Sequence, residues 1–312
     1  MYSESLIKLA IIGLQCSQKE LAGVLKVSPT QISKWKSGER MSTDMGERIT
    51  SLLELGTCDP DVAYWTGGIE QAIKWKQLIQ FLASSALDRR ETDYISEILI
   101  DDEDDYELTQ QTLSTLRNMG VKIPTPFPEE LTYWDARTPD LQFKYDNNLL
   151  AALIEKAFEA ANGIYSFYAA YIDTALSFEI DGHQLSTKIY CGLIPLCFAK
   201  TGKQNGLTPN FNLFQHHTIS DLGSSIDSIK KLAFQHNIPL NVELSDLITD
   251  NSDDLNIESD AETIGANQTR IHPDIYMNEL LQNQRSIMKA LPIICKKLGI
   301  TSEELDWDNI NY

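Results

Sequence analysis

Apolar positions in the first part of the chain recur every three or four residues and break at short intervals, which predicts a bundle of short helices. Leu6, Leu9, Ala10 and Gly13 fall on one side of a helix over residues 3–14, with Ile7, Ile11 and Leu14 close by. Ser17 and Glu20 spell S-x-x-E, a capping box that starts a second helix at Gln18. Leu21, Ala22 and Leu25 give that helix one apolar stripe. Val27 marks a turn, and Ser28 with Gln31 opens a second box, with Pro29 at the first helical position where its missing N–H is harmless. Ile32 and Trp35 share one face of this third helix, while Thr30, Gln31, Ser33, Lys34 and Lys36 occupy the rest. Gly38 suits a left-handed stop. Ser42 then caps a fourth helix with Met45, Ile49, Leu52 and Leu53 inward, ended by Gly56. Two short capped helices joined by so tight a turn predict a helix-turn-helix whose second helix projects outward.

The residues from Gln18 to Gly38 also carry a resemblance. Gln18, Glu20-Leu21-Ala22, Val27-Ser28, Ile32-Ser33-Lys34-Trp35 and Gly38 resemble the pattern of the XRE group of lambda-repressor-like helix-turn-helix domains. The likeness implies a DNA-binding domain covering about a fifth of the chain, with the second helix of the motif in the major groove. It implies that Gln18 braces a phosphate and that Pro29, Thr30, Ser33 and Lys34 line the base-facing side. Gln31, Lys36 and Arg40 complete the candidate DNA-binding residues, with a phosphate as the expected partner of Lys36. Two residues depart from the pattern. Pro29 stands where a base-reading amide or hydroxyl is common, which weakens direct readout there. Lys36 stands where an acid is common, which adds phosphate affinity.

Beyond this head the pattern remains mostly helical. Cys58-Asp59-Pro60 marks a junction, after which Trp65, Ile69, Ile73, Leu78, Phe81 and Leu82 recur at helical spacing, with a break expected at Gly67-Gly68. A helix is expected from Thr92 to Ile100, an acidic loop over Asp101–Asp105, and another helix to Met119. The three prolines between Val121 and Leu131 read as an extended connector and a second boundary. Residues 149–161 and 165–176 read as two buried helices, with Phe158, Tyr165, Phe167, Tyr168 and Tyr171 in an aromatic cluster. Leu176, Phe178 and Ile180 alternate ahead of Asp181-Gly182, which suggests a hairpin continuing to Cys191, with a helix through Phe178 as the competing reading. Leu240, Val242 and Leu244 suggest a further strand. Residues 249–269 are polar and acidic, as in a loop, and do not match a calcium-binding loop. A last amphipathic helix follows Pro273, through Leu280, Leu281, Ile287, Met288 and Leu291. The expected architecture is therefore mainly α with minor β left open. It divides into a helix-turn-helix head (1–57), a helical middle region (58–123) and a mostly helical C-terminal domain (124–312).

Charge sharpens this division. The chain of 312 residues carries −19, yet residues 1–57 hold seven cations against six acids, a net +1. The remainder carries −20. A negative field of that size opposes phosphate contacts, so the body is expected to face away from a duplex or to suppress non-specific binding. The five cysteines are odd in number and form no C-x-x-C pair, and no apolar run reaches the length of a membrane span. Both features point to the cytoplasm. Lys8 interrupts the apolar run near the start, and no small-residue cleavage site follows, so that run reads as a bundle helix and not as a leader.

No phosphate-binding loop, dinucleotide fingerprint, nucleophile elbow or zinc-binding H-E-x-x-H occurs. His216 and His217 are adjacent and so do not share a helix face. Cys191-Gly192 precedes Ser224 and Ser225, but Lys230 and Lys231 follow too soon for a self-cleaving Ser–Lys dyad. No catalytic, metal or cofactor residues are assigned. The leading expectation is a DNA-binding transcriptional regulator on a pseudo-palindromic duplex site. Its acidic body forms a homodimer or senses a small molecule or protein. An antitoxin or phage-type interaction protein that binds a basic partner, and a DNA-targeted enzyme, are the alternatives.

Overall fold

A computed structural model describes residues 3–90, 95–101, 105–131, 148–173, 180–235 and 279–299. The fold is mainly α, and no strand occurs among the described residues. The head contains α1 (Ser3–Gly13), α2 (Gln18–Leu25), α3 (Pro29–Lys36) and α4 (Thr43–Leu52). Ile7, Leu21, Leu25, Ile32 and Ile49 form its fully buried centre. α1 packs on α2, α3 and α4, so it backs the whole motif. Leu52, expected inward, is 40% exposed, while Leu53 is half-buried and serves as the C-cap of α4. Met45, Ile49 and Leu53 follow one another at spacings of four along the inward face, which leaves Leu52 to one side of it.

α5 (Pro60–Thr66) starts at the expected junction, where Asp59 accepts from the Asp61 and Val62 N–H groups. It stops at Gly67 and Gly68, whose φ angles of +90° and +136° lie in the region that only glycine adopts easily. α6 (Ile69–Asp88) and α7 (Glu107–Asn118) follow. α5 packs on α1, α6 and α7. Lys8 lies over the Tyr64 ring at 5.1 Å, and the Arg117 guanidinium over the Trp65 ring at 4.4 Å. Two adjacent rings of α5 thus tie it to α1 and α7 by cation–π contacts. The apolar core runs from Leu6 to Ile229 as one cluster.

Behind this layer lie α8 (Leu149–Phe167), α9 (Ile180–Tyr190), α10 (Leu193–Lys200) and α11 (Phe211–Gln235). α8 packs on α6 and α10, and continues into a π-helical turn over Tyr168–Asp173. The two helices expected over 149–176 are therefore one continuous element through Asp173, because no glycine or proline breaks it with a left-handed residue. Asn162 joins the layers: Ser96 donates to its Oδ1 at 2.8 Å and its Nδ2 donates to the Ala86 carbonyl at 2.8 Å. α12 (Glu279–Leu298) is the last described element.

Three further expectations change. The hairpin at Asp181-Gly182 is a helix, α9, because the apolar positions Leu185 and Ile189 follow helical spacing and face α11 and the π-helical turn. Within the helix expected over Thr92–Ile100, the described residues form only one 3-10 turn, Glu97–Leu99. The proline-rich connector is packed and not free. Phe127 is 5% exposed and meets Trp75 edge-on at 5.1 Å, while its N–H donates to Gln71 Oε1 at 2.7 Å. Leu176, Phe178, the strand over 240–244, the polar stretch 249–269 and Pro273 lie outside the described residues.

Candidate nucleic-acid interface

α2 and α3 are set by their caps. The Glu20 N–H donates to Ser17 Oγ at 3.3 Å and the Ser17 N–H donates to Glu20 Oε2 at 2.8 Å, a complete capping box. These bonds from Ser17 hold the Glu20 carboxyl below its ordinary pKa. Lys26 adopts φ +55° at the end of α2, and the chain turns at once into Ser28, whose Oγ accepts from the Gln31 N–H at 3.1 Å. Pro29 occupies the first turn of α3. Beyond Trp35, the Glu39 N–H donates to the Lys34 carbonyl and the Gly38 N–H to the Trp35 carbonyl, both at 3.0 Å. Gly38 stands at φ +93°. This is the paired closure of a helix end, and the Ser37 hydroxyl adds a bond to the Lys34 carbonyl at 2.8 Å.

Ile32 is wholly buried and Trp35 is 6% exposed, which anchors the inner face of α3. Pro29, Thr30, Ser33, Lys34 and Lys36 are exposed, and Gln31 is half-buried. Thr30, Ser33 and Lys34 therefore share one outer face at spacings of three and four. Gln18 is half-buried at the start of α2, and Arg40 is exposed in the loop after α3. Two of these side chains are already engaged. Ser33 Oγ donates to the Pro29 carbonyl at 3.2 Å, and Lys34 Nζ lies 3.4 Å from Glu39 Oε2. The Lys34–Glu39 pair is half-exposed, so water and salt weaken it and a phosphate or base edge can compete for the ammonium.

Arg48 was not legible as part of this arrangement. It reaches from α4 to the end of α2 and donates to the Val24 and Leu25 carbonyls at 3.1 and 3.3 Å. Those two carbonyls are among the last of α2, where a cation is favoured by the helix dipole. Twenty-three residues separate Arg48 from Leu25, so no local pattern announces the contact.

Among the described residues the body presents several concave sites. A cavity of about 420 Å³ is floored by Leu213, Phe214 and Leu222 and rimmed by Lys188, His217 and Asp221. A smaller, acidic one of about 220 Å³ is lined by Glu97, Asp101, Asp105, Glu107 and Tyr190. Asp101 Oδ1 accepts from the Leu108 N–H at 3.2 Å, and burial pushes its carboxyl up from the ordinary range. Tyr190 joins Tyr165 and Tyr168 in a ring cluster, and burial pushes its hydroxyl up to about 12. Among the described residues, no three His, Cys, Asp or Glu side chains converge as metal ligands. Ser224 and Ser225 each donate to carbonyls of their own helix, Ser220 and Asp221, and His216 and His217 are exposed beside them. No helix among the described residues is long and apolar enough to cross a membrane.

No family model, curated protein or solved structure matches this chain.

Proposed function

We propose that this chain is a sequence-specific DNA-binding transcriptional regulator of the XRE type, acting in the cytoplasm. The observation that carries the reading is the division of α3 into a buried anchor, Ile32 and Trp35, and an exposed polar and cationic face on the second of two capped helices. A face of this size and chemistry suits the major groove. In this reading Thr30, Ser33 and Lys34 meet base edges, with Lys34 donating to guanine O6 or N7. Pro29 and Gln31 border that face, while Gln18, Lys36 and Arg40 meet phosphates. The acidic body supplies assembly, or the sensing of a ligand in the cavity beneath Lys188 and His217.

The acidic groove at Glu97 and Glu107 favours a second reading, in which the body binds a basic protein. Sequencing of genomic fragments retained by the pure protein separates the two. The regulator yields an enriched pseudo-palindrome, and a chain that only binds protein yields no motif. Binding-site selection then tests the face itself. Lys34→Ala should cost about 1–3 kcal/mol on the preferred site and relax one base pair in each half-site. An unchanged consensus removes Lys34 from the base-reading set.

A further inference from the structure

The cavity of about 420 Å³ lies among α7, α9, α10 and α11. That volume is at the small-metabolite end of the range that ligand pockets occupy. Phe214 and Leu222 are buried in its floor, while Leu213 beside them is 59% exposed, so apolar surface is left for a ligand to cover. Leu213, His217 and Asp221 follow at spacings of four and line the cavity along successive turns of α11. The rim thus holds a cation, Lys188 from α9, and an anion, Asp221 from α11. Among the described residues neither of these side chains takes part in an ion pair, with the other or with any third group. Two unlike, unpaired charges beside an apolar floor complement a molecule that carries both charges and an apolar body.

We infer that the cavity binds an apolar α-amino acid as its zwitterion. The ligand carboxylate meets the Lys188 ammonium, its own ammonium meets the Asp221 carboxylate, and its side chain covers Leu213, Phe214 and Leu222. His217, one turn from Asp221, adds a ring nitrogen to the polar rim. A phosphate ester or a fatty acid carries negative charge alone, and its head group would meet the like charge of Asp221. The ligand also reaches α7. Asn118 lines the cavity and follows Arg117, whose guanidinium lies over the Trp65 ring of α5. Contacts made here therefore stabilise a helix on which α5 packs.

Such a ligand gives a chemical class to the sensing role proposed above, and its regulatory meaning rests on that reading. Binding itself is measured without DNA, so a failure here leaves the reading of α3 standing. Isothermal titration of the full chain with L-valine, L-leucine and L-phenylalanine should give saturable binding of at least one of them, at one site per chain. Hydrocinnamate and phenethylamine are phenylalanine without its amine and without its carboxylate. Each should bind about tenfold or more weakly than the amino acid, as should isocaproate and isoamylamine against leucine. Lys188→Met and Asp221→Asn should each weaken the amino acid by about the same factor, and Lys188→Arg should retain most of the affinity. Both residues are exposed, so the melting temperature without ligand should not move. Absence of saturable binding by all three amino acids overturns the proposal. So does an acid or an amine that binds as tightly as its parent, or a Lys188→Met or Asp221→Asn chain that binds like wild type.

Discussion

The Arg48 guanidinium closes the end of α2 by donating to the Leu25 carbonyl at 3.3 Å, with a second bond to the Val24 carbonyl. The turn into α3 begins one residue later, at Lys26, so α4 fixes the angle at which the outward helix leaves the bundle. Arg48→Met keeps much of the stem and removes both bonds. It should lower head stability by about 1 kcal/mol. Chemical denaturation followed by far-UV circular dichroism checks this, and an unchanged midpoint would mean that the carbonyls are equally well served by water.

Trp35→Ala should act through packing. The indole is 6% exposed against the centre of the head, and truncation leaves a cavity there. A loss of about 3–5 kcal/mol is expected. Circular dichroism melts read it directly, and a loss below about 1 kcal/mol would show that the site collapses around the alanine.

Glu39 holds Lys34 and so competes with any anion for it. Glu39→Gln should tighten DNA binding at low salt and leave the fold unchanged, because the pair is half-exposed and contributes little to stability. Lys36→Ala should weaken all sequences alike and reduce the salt slope by about one per head. Titrations at several salt concentrations measure both. A Glu39→Gln variant that binds no better at any of them would place Lys34 away from the duplex.

The capping box predicts a pH dependence with a definite sign. Bonds from Ser17 lower the pKa of Glu20 in the folded chain. The carboxylate therefore stabilises the folded state above its unfolded pKa, and that contribution is lost as pH falls through the lower folded value. Glu20→Ala should melt below wild type at pH 7, and the gap should close as pH drops below the ordinary carboxylate range. A gap that stays constant to pH 3 would mean that the lost contribution is an uncharged contact of the side chain and not the charged bond.

In the body, Asn162 is 8% exposed and bridges Ser96 to the Ala86 carbonyl. Asn162→Ala leaves a buried hydroxyl and a buried carbonyl without their partner, at a cost of about 2–3 kcal/mol. Asn162→Ser, with a donor on a shorter reach, should recover part of it. Equal melting temperatures for Asn162→Ala and wild type would mean that water replaces the amide.

The head was readable because its signals are local. Ser17, Glu20, Ser28, Pro29 and Gly38 act within four residues of themselves, and Ile32 and Trp35 mark the inner face by spacing alone. What went unread is what depends on distant partners. Arg48 meets residues on another helix, and Asn162 meets residues 66 and 76 positions away. The alternation at Phe178–Ile180 with Asp181-Gly182 resembled a hairpin because a short apolar run carries no length information. Leu185 and Ile189 on the next turn, packing toward α11, make Ile180–Tyr190 helical.

The shared position of α5 has a thermodynamic consequence. Val62 and Ala63 are wholly buried in a helix that packs on α1 and also on α6 and α7. Removing either side exposes them, so neither side can melt while the other keeps its full stability. α3 and the layer of α6 and α7 belong to one cooperative unit, and heat should take them apart in a single calorimetric transition. A ligand that stabilises the layer behind α5 then raises the melting temperature of the helix-turn-helix as well, although it touches no residue of it.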